Sequence, residues 1–453
     1  MKTKIIIAVI IFLVLGLVGC EKEWLDEKSD KSLVVPSSLE DFQKLLDYSS
    51  PVMNANFISL GETGADNYYL SDQTLQFALA RNRNAYLWAK EIYEGQTEYD
   101  WNFAYQRVLY CNTVLDGLGK IAVDEKNTLL FENVKGSALF FRALTFYDVA
   151  QAFAPVYKQS SAATDPGIPL RLKADINEVS TRASVKETYE QIIADLKSAI
   201  DLLPLTQTYK TRPTKAAANG LLARVYLSMQ DYSNAFTYAD AALQLDQTLL
   251  DYNQLDFIGY NPFLPYNEEM VFYSELSYSD ILYPDYFMVD SNLVKSYSAN
   301  DLRFKAFFSQ NTNGSYRYIG SYSPQYLFAG IANDELFLIH AECHARLGRV
   351  TESMNDLNTL MRKRFKSSSF VPFTSNSAEE ALELVLQERR KELIFRGLRW
   401  TDLRRLNLDA AYANTLKRYY KGEFYELLPN SARYIYPIPE DVIAASGMKQ
   451  NER

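Results

Sequence analysis

Apolar residues recur along most of this chain at helical spacing, and the helices they predict come in pairs. Val185, Tyr189, Ile192, Ile193, Leu196, Ala199, Ile200 and Leu203 fall on one helical face, and Pro204 ends that element. The next apolar segment begins at Arg212-Pro213-Thr214, where Thr214 can cap, and runs to about Met229. A third, from Asp231 to about Leu245, follows after almost no turn, so the two form a helical hairpin. Trp101 to Leu118 with Phe131 to Phe153 predicts another pair, and the helix at Val185 leads a further one.

The hairpin fits the tetratricopeptide pattern. There a small residue, an aromatic three positions later and a second small residue twelve after the first let two helices approach closely. Ala223, Tyr226 and Ala235 occupy those places, with Ala239 and Ala242 extending the small face. A second copy lies 118 residues on at Ala341, His344 and Ser353, with Gly348 at the turn and Leu357 and Leu360 behind. The fold class expected is therefore mainly α, with about four irregular tetratricopeptide-like hairpins.

Three long excursions interrupt the repeats: residues 61–98, 155–182 and 247–333. Loops of this length inside a compact chain are usually functional. Between Tyr252 and Tyr326 stand 12 of the 33 tyrosines, where an even spread would place about five or six. Helix packing alone does not need that density, so the largest excursion reads as a recognition surface.

The N-terminus fixes the expected compartment. Lys2 and Lys4 precede an apolar run from Ile5 to Leu17, and Leu17-Val18-Gly19-Cys20 closes it with small residues before a cysteine. Residues 1–19 read as a lipoprotein signal peptide, Cys20 as the lipid acceptor, and residues 20–35 as a charged tether. Residues 20–453 then form one body, since no Pro/Gly/Ser-rich linker divides them. Removing the leader leaves 45 basic against 56 acidic residues, which makes nucleic acid a poor partner. Cys111 and Cys343 lie in helical apolar patterns and read as free buried thiols.

Taken in order, several segments resemble the SusD/RagB family of outer-membrane nutrient-binding lipoproteins. They are Cys20 with Trp24-Leu25-Asp26; Trp101-Asn102-Phe103-Ala104-Tyr105 continuing to Asn112; Gly167-Ile168-Pro169-Leu170; and Arg182-Ala183-Ser184-Val185. The most specific runs Glu388-Arg389-Arg390-Lys391-Glu392-Leu393, Phe395-Arg396-Gly397-Leu398-Arg399-Trp400 and Asp402-Leu403-Arg404-Arg405, followed by Tyr436-Pro437-Ile438-Pro439 and Lys449-Gln450-Asn451. The resemblance implies that the helical hairpins are packed against a loop-rich ligand-binding half, in a cell-surface lipoprotein, held in the outer membrane by its lipid, that captures an oligosaccharide or polysaccharide. It also implies a partner, a SusC-like TonB-dependent transporter on which the protein sits as a lid. No cofactor is expected. The Glu388 to Arg405 stretch itself reads as structural, its charges engaged in i,i+4 pairs and loop carbonyls. The resemblance is weakest in residues 61–98 and 247–333, so it names no substrate.

Other chemistries fit less well. His340 and His344 share a helix face, but without the zincin spacing, and they occupy slots that repeats fill by packing; no metal is expected there. Glu62, Asp66, Asp285 and Asp290 lie in the excursions, yet nothing pairs them as a glycosidase requires, so the chain is not expected to be an enzyme. An envelope scaffold for protein partners is the alternative to glycan binding, and a glycoside hydrolase a more distant one. A sugar face packs on aromatic rings while its hydroxyls need amides and carboxylates. Asp66-Asn67-Tyr68-Tyr69 supplies both kinds, with Tyr86 and Trp88 close behind. Asp66, Asn67, Tyr68 and Trp88 from the first excursion, with Tyr283, Tyr286 and Tyr318 from the largest, are the expected ligand residues around a common hollow. For Trp88 the competing reading is a plug that seats the loop on the repeats.

Overall fold

A computed structural model describes residues 36–259 and 261–453. The expected signal peptide, the expected lipid acceptor Cys20 and the expected tether lie outside the described residues. Among the described residues a short helix, α1 (Leu39–Leu46), comes first, and the first excursion holds α2 (Leu60–Gly64), α3 (Asp72–Phe77) and α4 (Ala80–Tyr86). Two long helices follow, α5 (Tyr99–Leu118) and α6 (Thr128–Phe153), then α7 (Val185–Leu202), α8 (Lys215–Ser228) and α9 (Tyr232–Leu245). The largest excursion carries α10 (Ser291–Lys295) and α11 (Arg303–Phe307); α12 (Asn333–Arg346), α13 (Val350–Met361), α14 (Ala378–Glu392), α15 (Arg399–Leu406) and α16 (Glu440–Ser446) complete the helices.

Side-chain caps set the repeat boundaries. Thr214 accepts from the Ala217 N–H at the start of α8, as expected, and Ser184 and Glu187 form a reciprocal capping box at the start of α7. Each repeat helix packs on its successor, from α5 through α9, then α9 on α12, and α12 on both α13 and α14. These eight helices make the four-pair, tetratricopeptide-like scaffold. Close approach rests on the small residues: Ala223, Ala235, Ala239 and Ala242 are wholly buried, as are Ala341 and Ser353. The Ser353 hydroxyl donates to the Ala341 carbonyl across the second hairpin, at 2.8 Å. Gly348 takes φ +77° at the turn, a conformation that favours glycine.

The irregular half is stitched together by five antiparallel strand pairs among the described residues. β1 (Tyr68–Tyr69) of the first excursion pairs with β5 (Met288–Val289) of the largest. β2 (Pro166–Pro169) pairs with β3 (Arg182–Ser184), β4 (Met270–Phe272) with β8 (Ile331–Ala332), β6 (Phe308–Gln310) with β7 (Tyr316–Tyr318), and β9 (Leu416–Tyr420) with β10 (Glu423–Leu427). Buried apolar residues form one continuous cluster from Leu39 to Ile438, so scaffold and irregular half share a core. Cys111 and Cys343 are free and buried in it.

The charged C-terminal signature is the seam between the halves. Most of its partners are acids distant in sequence rather than the i,i+4 neighbours expected, with local pairs confined to Arg405–Asp402 and Lys391–Glu388 at i,i+3 among the described residues. Arg405 grips Glu342 of α12 at 2.6 and 2.8 Å and reaches Asp402, which also receives Arg389. Arg396 pairs with Asp334 at 3.0 Å, and Arg399 with Asp66 at 2.6 and 2.9 Å. Glu392 accepts from Arg303 and Arg364, both rooted in other elements. Arg404 donates to the Gln151 and Ala154 carbonyls at the end of α6. Buried guanidiniums of this kind persist because planar forks satisfy carboxylates and carbonyls together.

Candidate functional site

Several exposed tyrosines gather at one cleft in the largest excursion, of about 230 Å³. Buried Phe263, Leu276, Leu282, Tyr318 and Leu327 form its apolar floor, and Tyr278, Tyr283 and Tyr326 stand around it. Tyr278 is 54% exposed and Tyr283 45%. Tyr286, 51% exposed, lies beside Tyr283 with ring centroids 5.6 Å apart. Tyr278 and Tyr326 face each other edge to face at 6.5 Å. Asn261, Ser279, Ser323 and Gln325 add polar groups to the wall, and no charged side chain is among the described lining residues.

Local hydrogen bonds fix this wall. Asn261 spans two segments, accepting from the Phe263 N–H at 2.9 Å and donating to the Ser321 carbonyl at 2.9 Å. Ser321 donates to the Tyr326 carbonyl and accepts the N–H groups of Ser323 and Phe328, which curls the loop carrying Gln325 and Tyr326. Beneath it, Tyr318 packs on Phe395 of the C-terminal signature at 4.8 Å, and burial lifts its hydroxyl pKa well above the ordinary value.

The first excursion supports this cleft from behind and does not line it, so the common hollow expected for both excursions is corrected. Tyr68 is 4% exposed, packs on Phe287 and Tyr86, and donates to the Thr63 carbonyl at 2.8 Å. Asn67 is buried, donates to Glu62 at 3.1 Å, and through its carbonyl accepts the Asp290 N–H at 2.9 Å. Asp66 is held by Arg399 and Arg390; burial opposes its ionisation, but the two guanidiniums outweigh that and keep its carboxyl far below the usual range. Glu62 has no such cation in contact, and burial pushes it up to about 7. Trp88 is 1% exposed; its indole N–H donates to the Gly64 carbonyl at 2.9 Å and the Arg418 guanidinium sits 4.6 Å from its ring. A ring so enclosed has no face for a ligand.

Of the expected residues, Tyr283 lines the cleft, Tyr286 stands beside it and Tyr318 lies in its floor. The first excursion reaches it through Asp280, which accepts the Leu79 N–H at 2.7 Å and the Asn82 amide and so clamps the turn between Tyr278 and Tyr283. Tyr278, Tyr326, Asn261 and Gln325 were not singled out by sequence; the tyrosine enrichment contained the first two without separating them from buried neighbours. Among the described residues, no helix is long and apolar enough to cross a membrane.

Residues 23–227 match the family described as starch-binding associating with outer membrane, and residues 334–453 match the SusD family. The chain belongs to the SusD/RagB family. A SusD-like protein P2 from Formosa agariphila is 26% identical over 376 residues, spanning 69% of this chain and 72% of its own. The fold agrees with a solved SusD superfamily protein from Bacteroides thetaiotaomicron: TM-score 0.74, 19% identity, 92% of this chain and 100% of that one. It also agrees with a SusD-like carbohydrate binding protein from Bacteroides vulgatus: TM-score 0.70, 20% identity, 91% and 97% covered. In this SusD-family chain the two matched regions bracket residues 228–333, so the cleft falls in the stretch that neither match covers.

Proposed function

We propose that this SusD-family protein binds a neutral glycan in the cleft of its largest excursion and delivers it to a SusC-like TonB-dependent transporter, from a lipid anchor at Cys20 on the outer membrane. The observation that carries the ligand assignment is the cleft itself, with exposed tyrosines set around an apolar floor and amides and hydroxyls in the wall. Tyrosine faces suit the C–H faces of a sugar, and the amides and hydroxyls suit its OH groups. A wall without formal charge offers nothing to pay for desolvating a uronate or sulfate, which favours an uncharged chain.

The same geometry supports binding over hydrolysis. Each acid considered for a glycosidase pair is engaged elsewhere: Asp66 with Arg399, Asp285 with Arg317, Asp290 capping α10, and Glu62 with Asn67 and the Gly397 N–H. The test is a glycan array carrying neutral, uronate and sulfated polysaccharides, followed by calorimetry on the best ligand. Tyr283→Ala and Tyr278→Ala are each expected to weaken binding about tenfold, since a stacked ring contributes on the order of 1.4 kcal/mol. Retained affinity in both variants, or capture of sulfated chains alone, overturns the assignment.

A further inference from the structure

Away from the cleft, three repeat helices converge on the chain's only two histidines. His340 and His344 are one turn apart on α12, Asp356 faces them from α13, and one donor atom of each lies within 4.8 Å of the others. The His340 ring lies flat on Phe236 of α9 at 4.7 Å, which fixes its edges. Its Nδ1 is 2.8 Å from Asp356 Oδ2, and its Nε2 is 3.8 Å from Asp240 Oδ1. His344 is more than nine-tenths buried, and neither of its ring nitrogens has a hydrogen-bond partner. Packing on Phe236 explains the rings' planes but not why an enclosed imidazole carries two orphaned polar atoms beside a carboxylate.

We infer that His340, His344 and Asp356 form a binding site for a zinc-class transition-metal ion, with Asp240 as the outer partner of His340. Two imidazoles and one carboxylate are a donor set suited to Zn²⁺ and related ions, and unsuited to Ca²⁺, which takes oxygen ligands. Ligand atoms about 2.1 Å from a tetrahedral ion stand roughly 3.4 Å apart, so the His340–Asp356 pair opens slightly and His344 moves in by about 1 Å. The ion replaces the hydrogen between His340 Nδ1 and Asp356, and that hydrogen is carried on Nε2 instead, directed at Asp240. A carboxylate behind a ligating histidine is the usual way its tautomer is set. The one opposing charge is Arg349, whose guanidinium lies 5.1 Å from the far partner of both rings, Phe236. By contrast, the cluster Glu269, Asp334 and Glu392 is already neutralised by Arg364, Arg396 and Arg303 and offers no free donor.

The site would pin α9, α12 and α13 together. Tag-free, metal-stripped mature protein is titrated with Zn²⁺ and Co²⁺. The expected result is one ion retained per chain, a visible Co²⁺ band of tetrahedral intensity, protection of both histidines from diethylpyrocarbonate, and a higher melting temperature with Zn²⁺. His344→Ala and Asp356→Asn should each weaken retention at least tenfold and abolish the thermal shift. Asp356 is only partly buried, so its variant carries the test if His344→Ala does not fold. No ion retained at micromolar Zn²⁺, or equal retention in Asp356→Asn, overturns the inference.

Discussion

Replacing Trp88 separates a packing ring from a binding one. The side chain is almost completely enclosed, and an aromatic of its kind buries about 150–250 Å². At about 25 cal/mol per Å² that burial contributes roughly 4–6 kcal/mol as an upper figure, and Trp→Ala truncations in cores cost about 3–5 kcal/mol. Two further effects act in Trp88→Ala. The Gly64 carbonyl loses its indole donor, a loss of about 1 kcal/mol, whereas Arg418 keeps the Tyr86 ring at 3.5 Å and its carbonyl acceptors. The expectation is a loss of about 3–5 kcal/mol, a large part of the 5–15 kcal/mol typical of a folded domain.

The backbone at this position supplies an internal control. Trp88 has φ +53°, in the left-handed region, where alanine is strained and glycine is not. Trp88→Gly should therefore be no less stable than Trp88→Ala, although glycine is usually the more damaging of the two. Urea unfolding followed by circular dichroism at 222 nm measures both. Glycan affinity, measured at a temperature where the variants are folded, should stay within threefold of the wild type. A variant that unfolds at the wild-type midpoint yet loses the ligand would falsify this account and return Trp88 to the binding surface.

Two other expectations follow from the buried charges. Burial holds Glu62 at about 7 against an ordinary 4.5, so the folded state binds its proton more tightly than the unfolded chain does; its contribution is complete below about 4.5 and is lost as pH rises through about 7. Gln mimics the protonated acid, and Asn67, whose Oδ1 lacks a partner, can turn to receive its N–H; Glu62→Gln should gain on the wild type by about 3 kcal/mol between pH 5 and pH 8, and a constant difference in urea midpoint across that range refutes the shift. Arg405→Met should cost about 3 kcal/mol, because buried Glu342 loses its two-pronged partner and keeps only Arg346 at 3.1 Å, and an unchanged melting temperature would show the seam to be dispensable.

What the sequence revealed, and what it hid, follows from where the signals are local. Helical period, the Thr214 cap and the small residues at Ala223 and Ala235 are set by neighbours within one or two turns, so they could be read directly, and the scaffold followed. The family motifs carried the identification but misled on their own chemistry: the charges from Glu388 to Arg405 look like local pairs, yet their partners Asp66, Glu342 and Asp334 lie in other elements. The tyrosines show the limit most clearly. In the largest excursion Tyr252, Tyr273, Tyr297, Tyr318 and Tyr322 are buried, while Tyr266, Tyr278, Tyr283 and Tyr286 are exposed, and no period separates the two sets. Side-chain direction there is decided by two-stranded pairs and by clamps such as Asp280, which join segments about 200 residues apart in sequence. Asp66 to Tyr68 have the chemistry of a sugar site, but β1 pairs with β5 and turns that chemistry inward, where Asn67 and Tyr68 bond to Glu62 and the Thr63 carbonyl. If the cleft binds as proposed, the first excursion bears on a ligand only through the position of the second, and substitutions in it should alter affinity only as far as they move Tyr278 and Tyr283.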